Sequence, residues 1–145
     1  LRPRYETKDD LDREQHVAAI LEQEWRCRLE KLPIRYHLDY VITQDGKAVA
    51  FCEIKTRRYS MEQIDKMGGY LMSIGKWTSA MALSDSSGLP FILTAVTTCG
   101  VWYAVFRSGE FDADDVLVRG RTDRNDWQDV EPCVLLYSSR FTRIN

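Results

Sequence analysis

Two carboxylates and a lysine stand where apolar strands should run. Residues 37–42 (His37, Leu38, Asp39, Tyr40, Val41, Ile42) and 49–55 (Val49, Ala50, Phe51, Cys52, Glu53, Ile54, Lys55) are strand-like runs separated by Gln44, Asp45 and Gly46. Charges within such runs are costly to bury unless they are paired or bound to metal. Asp39 and Glu53 offer hard oxygen ligands that suit magnesium, with manganese as a substitute, and the Ile54 backbone carbonyl would add a third oxygen. Lys55 would position an attacking water or offset charge developing on a phosphate. Together these groups suit phosphodiester hydrolysis. The competing reading is a half-exposed hairpin edge on which Glu53 and Lys55 simply face solvent.

Hairpin register decides whether these charges meet. A two-residue turn at Asp45 and Gly46 pairs Gln44 with Lys47 and sends Asp39 and Glu53 to opposite faces. A three-residue loop with Gly46 left-handed pairs Thr43 with Lys47 and puts Asp39, Glu53 and Lys55 on one face. The glycine at the last loop position favours the three-residue loop.

Flanking helices supply further candidates. Residues 10–29 carry an apolar stripe of Leu11, Val17, Ala18, Leu21, Trp25 and Leu29, opened by acids at the N-terminus. Glu14 falls inside this stripe and needs a partner; Glu22 and Glu24, on its flanks, are substitutes. Ser60, Met61, Glu62 and Gln63 form a capping-box pattern that predicts a second long helix to about residue 83. Its inward stripe holds Met67, Tyr70, Leu71, Ile74, Trp77 and Met81, with Gln63 inside it and Lys66 on its border. Gln63 would either reach a phosphate or metal-held water, or merely complete the cap. Gly68 and Gly69 weaken that helix by about 1 kcal/mol each, and close packing or a bend would account for them. Strands are predicted at 91–98 and 101–107. In the polar tail from 108, apolar runs at 116–118 and 134–137 fit edge strands or an arm.

The whole chain, residues 1–145, reads as one domain with its core at about 10–107. With 44% hydrophobic and 29% charged residues, it has an ordinary globular composition. No apolar run reaches membrane-spanning length, and no secretory signal precedes the first helix. Cys27, Cys52, Cys99 and Cys133 lack metal-ligand spacing, and only His16 and His37 could assist them, so zinc is not expected. Scattered thiols suggest an intracellular, cytoplasmic protein. No glycine-rich phosphate loop occurs, so no nucleotide cofactor is expected. The net charge of −2 disfavours tight nonspecific nucleic-acid binding. Basic residues nevertheless gather at Lys55, Arg57 and Arg58, at Arg26, Arg28, Lys31 and Arg35, and at Arg119, Arg121, Arg124, Arg140 and Arg143. Such clusters suit either a phosphate-gripping rim or a solvated face.

The order helix, strand, hairpin strand, helix, strand, strand predicts an α/β fold, a mixed sheet flanked by helices. A helix acid, a strand Asp and a strand E-x-K in that order resemble the PD-(D/E)XK nuclease superfamily, closest to Holliday-junction-resolvase, RecB-like and phage nucleases. Asp39, Glu53 and Lys55 match its signature directly, followed by Glu14 and then Gln63. The resemblance implies a restriction-endonuclease-like fold and a magnesium-dependent deoxyribonuclease. Its acids would hold the metal, Lys55 would orient water, and Arg57, Arg58 and Lys66 would contact DNA. Cutting two strands would make a homodimer natural. Two departures stand out: Leu38 where the family often has Pro, and Met67 where a Gln-x-x-x-Tyr pattern would place Tyr. The alternative is a catalytically silent nuclease-fold module that binds nucleic acid or a partner protein.

Overall fold

The computed structural model describes residues 7–33, 38–107, 109, 113–119 and 130–144. Arg35, His37, Arg121 and Arg124 lie outside the described residues. Helix α1 (Lys8–Trp25) starts two residues earlier than its acids suggest, because Thr7 and Asp10 form a reciprocal capping box. It also ends four residues sooner than predicted. Arg26 adopts a left-handed conformation (φ 51°) as the cap, and the Cys27 N–H bonds back to the Glu22 carbonyl. Leu29, expected on the helix stripe, lies instead in strand β1 (Arg28–Lys31).

Strands β2 (Tyr40–Gln44) and β3 (Lys47–Thr56) form the hairpin. Its turn is the two-residue form, with Gln44 opposite Lys47 and positive φ at both Asp45 and Gly46 (51° and 74°). The expected three-residue loop is therefore corrected, since Asp-Gly satisfies the left-handed pair that such a turn requires. A bulge between Ile42 and Thr43 then shifts the register by one residue, so Val41 faces Phe51 and Tyr40 faces Cys52. The next step along each strand brings Asp39 to Glu53. The bulge thus accomplishes what the longer loop was expected to do.

The predicted second long helix is also corrected. It divides into α2 (Met61–Lys66), strand β4 (Tyr70–Ser73) and α3 (Ile74–Ser87). Gly68 and Gly69, at φ 104° and 140°, take the chain out of helix between the first two. A Cβ on Gly69 would lie 2.6 Å from the Leu136 carbonyl oxygen, so the backbone passes too close for any side chain.

Strands β5 (Phe91–Thr97) and β6 (Gly100–Phe106) match expectation within a residue. The tail contributes β7 (Asp115–Arg119), β8 (Glu131–Leu136) and the short β9 (Thr142–Arg143). A six-stranded sheet runs β1-β2-β3-β5-β6-β9, antiparallel throughout except at the β3–β5 pair, which is parallel. Strands β4, β8 and β7 make a second, antiparallel sheet. The structure is a mixed α/β fold with a central sheet flanked by helices, as a restriction-endonuclease-like fold requires.

Alternation along the strands divides the core in two. Val17, Ala18 and Leu21 of α1 pack on Tyr40, Ile42, Ala50, Cys52 and Ile54. On the other face, Met61, Ile64, Tyr70, Trp77, Val134 and Leu136 cover Phe91, Leu93, Ala95 and Phe106. Tyr70 and Trp77 are therefore core residues. No helix among the described residues is long and apolar enough to cross a membrane.

Candidate active site

Glu53 lies mid-strand between β2 and β5 and is only 2% exposed. Such a carboxylate requires partners. Its Oε2 accepts the Asp39 backbone N–H at 3.1 Å, and the Asp39 Oδ2 accepts the Ile54 N–H at 2.9 Å. Glu53 thus accepts from the Asp39 backbone and Asp39 from the Ile54 backbone, which ties the chain just before β2 to β3. Burial, and then the Asp39 charge, push the Glu53 carboxyl up to about 7, against the opposing pull of Lys76 and Lys55.

Lysines close the remaining carboxylate oxygens. Lys76, in the first turn of α3, places its Nζ 3.1 Å from Glu53 Oε1. Lys31 of β1 lies 3.6 Å from Asp39 Oδ1 and also pairs with Glu14 of α1. Glu14 therefore does have the partner its place in the apolar stripe calls for. Burial, followed by the adjacent Glu14 charge, drives the Tyr40 phenol pKa upward. Lys55 is exposed, and its charge reaches Glu53 from two residues along the strand.

Asp39, Glu53 and Glu14 are accordingly linked in one network through Lys31 and Lys76, with Lys55 an exposed charge beside it. Gln63 is placed differently: its Oε1 accepts the Ser60 N–H at 2.9 Å, completing the α2 capping box. Glu22, offered as a substitute for Glu14, accepts the Leu29 N–H and anchors β1 instead. Lys66 pairs with Glu62 one helical turn away. Arg57 donates to the Leu71 carbonyl at 3.0 Å and lies over the Tyr70 ring, while Arg58 is exposed. Farther along, Arg140 binds Asp114 and Arg143 donates to the Cys99 carbonyl, so both help hold the tail in place.

Lys76 and Lys31 are not among the residues expected at the site from sequence. Lys76 falls inside the long helix predicted to about residue 83, so its place at a helix start, where the dipole disfavours an ammonium and calls for a carboxylate nearby, emerges only with α3. Tyr70, a core residue, also has a hydroxyl that is buried without a hydrogen-bond partner, within electrostatic reach of Glu53 and Asp39.

The donor chemistry of Asp39 and Glu53 fits a hard divalent cation: two adjacent carboxylates whose mutual repulsion a cation would relieve. The orphaned Tyr70 hydroxyl adds a polar group that a water in the site would satisfy. Among the described residues, no three acidic, histidine or cysteine side chains converge as a metal-binding group. Lys31 is interposed between Glu14 and Asp39, so Glu14 does not complete a three-carboxylate set. A cleft of about 310 Å³ beside Glu14, Lys31 and Tyr40 opens on the α1 side of this network.

Comparison with known proteins supports the resemblance inferred from the charged residues. A stretch of 40 residues, 28% of this chain, is 42% identical to a UPF0102 protein of Streptomyces griseus subsp. griseus. That alignment spans 28% of the relative's length. Residues 1–144 match the family described as "Phage putative PDDEXK endonuclease". The chain belongs to this PD-(D/E)XK-type phage family.

Proposed function

We propose that this domain docks nucleic acid on the face carrying Asp39, Glu53 and Lys55, and that in the ion-paired arrangement described it does not hydrolyse the strand. The observation that carries this reading is that both carboxylates are ion-paired, Glu53 with Lys76 and Asp39 with a Lys31 that it shares with Glu14. Bare carboxylates would repel a phosphate backbone. Here Glu14, Asp39 and Glu53 are offset by Lys31, Lys55 and Lys76. Arg57 and Arg58, at the end of β3, then tip the local balance to positive, which suits phosphate contacts.

The test is a gel with supercoiled and linear single-stranded DNA, incubated with magnesium, manganese or EDTA. Shifted but intact DNA in all three conditions supports docking without cleavage. Absence of any shift overturns it.

A second reading, a magnesium-dependent deoxyribonuclease, is favoured by a different observation: Asp39 and Glu53 bond to one another's strands, with Lys55 two residues on. Asp39 and Glu53 would then hold the cation, with Lys55 placed to orient water. A bound magnesium or manganese would neutralise phosphate charge and acidify water. Metal-dependent cutting that disappears in Asp39→Ala would establish this reading. Under it, Lys55→Ala folds and binds DNA but loses cleavage by about two orders of magnitude or more.

A further inference from the structure

We propose that Lys76 is a resident counter-ion that keeps the Glu53 carboxylate from divalent cations, and that a strand phosphate draws it away on docking. The inference deepens the docking reading and rests on it for the phosphate step.

The geometry begins with Glu53. One carboxylate oxygen is occupied by the Asp39 backbone N–H, so Oε1 is the oxygen available to a cation. The Lys76 ammonium already lies 3.1 Å from it. Binding a divalent ion at Oε1 would place two cations side by side on a nearly buried carboxylate, so one must leave. Lys76 is able to leave. About a third of its side chain is exposed (31%), so its ammonium can swing into water without disturbing the core.

Its position on the helix supports the same conclusion. Lys76 is the third residue of α3, and its N–H donates to the Ser73 cap. The positive end of a helix disfavours an ammonium there. The helix itself therefore does not hold this lysine in place; Glu53 does. A phosphate arriving beside Lys55 and Arg58 offers Lys76 a second anion, and an ammonium that exchanges one for the other frees Oε1. Lys31 makes the corresponding contact at Asp39, but it is also anchored by Glu14. Lys76 has the less constrained of the two placements.

The experiment uses the full chain as wild type, Lys76→Met and Lys76→Arg, with circular dichroism to verify folding. Magnesium chloride is titrated by calorimetry at about pH 8.5, well above the ordinary carboxylate range. Lys76→Met is expected to bind magnesium at least about tenfold more tightly than wild type. Lys76→Arg keeps the charge and is expected to bind no more tightly than wild type. Unchanged or weaker magnesium binding by Lys76→Met, or tighter binding by Lys76→Arg, overturns the counter-ion role.

In parallel, a short single-stranded oligodeoxynucleotide is titrated in EDTA by fluorescence anisotropy. Lys76→Met is expected to weaken binding and lower the salt slope by about one. An unaltered slope overturns the phosphate step. If wild type fails to bind the oligonucleotide, the docking reading falls, and the magnesium titration still decides whether Lys76 excludes a cation.

Discussion

The Lys76 ammonium stands 3.1 Å from Glu53 Oε1, the carboxylate oxygen that the Asp39 N–H does not occupy. A helix-start lysine thus completes a contact set begun by a central strand and its hairpin partner. The arrangement leaves Glu53 buried but not isolated, and it makes the protonation of that carboxyl sensitive to each neighbour.

Folding stability should therefore depend on pH through Glu53. Its folded value is about 7 against an ordinary 4.5, so between these the folded state retains a proton that the unfolded chain releases. Stability is fully present below 4.5 and is lost as pH rises through about 7, by at most about 3 kcal/mol. Urea unfolding across this window should show the decline in wild type and a flatter profile in Glu53→Gln. A wild-type profile that rises through this range contradicts the assignment.

Asp39→Asn should lower the Glu53 midpoint. Asp39 is the second cause of the elevated value, after burial, and asparagine retains an oxygen to accept the Ile54 N–H. Carbon-13 NMR of the glutamate carboxyls would follow the midpoint directly. A midpoint unchanged or raised in the variant would show that the two acids are not electrostatically coupled.

Gly69→Ala should destabilise the fold by about 2–4 kcal/mol, since left-handed strain and a steric clash act together. The new Cβ would meet the Leu136 carbonyl oxygen at 2.6 Å. Gly68→Ala meets no atom within 4 Å and bears only the backbone strain, so it should cost less. Thermal unfolding of the two variants compares them; equal effects would argue against the close β4–β8 approach.

Tyr70→Phe should leave stability unchanged or raise it by about 1 kcal/mol, because the hydroxyl is buried without a hydrogen-bond partner. Urea denaturation at fixed pH measures this. A loss beyond about 1 kcal/mol would reveal a hydrogen bond to that hydroxyl.

Asp39, Glu53 and Lys55 were legible in the sequence because charges in apolar strand runs need an explanation. Glu14 was legible for the same reason on a helix. The register was less accessible. The glycine at the last loop position pointed to a three-residue loop although Asp-Gly also suits the two-residue turn, and the bulge after Ile42 leaves no distinctive residue signature. The second long helix failed because its periodic stripe was read across Gly68 and Gly69, whose positive φ values end α2 and admit a strand. That strand, β4, pairs with β8 from the tail, a long-range contact that local pattern does not encode. Lys31 stood out only as one of a basic cluster and Lys76 lay within the predicted long helix; only tertiary packing brings their ammonium groups to the acids. The family match accords with the ordered acids and E-x-K that suggested it.

The most direct measurement of the docking claim is amide NMR of the isotope-labelled chain during titration with a short single-stranded oligodeoxynucleotide. The largest shifts are expected at Ile54, Lys55, Arg57, Arg58 and Lys76, with little change on the exposed valines Val116 and Val118 of β7. Shifts centred on β7, or an unperturbed spectrum, would contradict the claim that nucleic acid docks on the Asp39–Glu53 face.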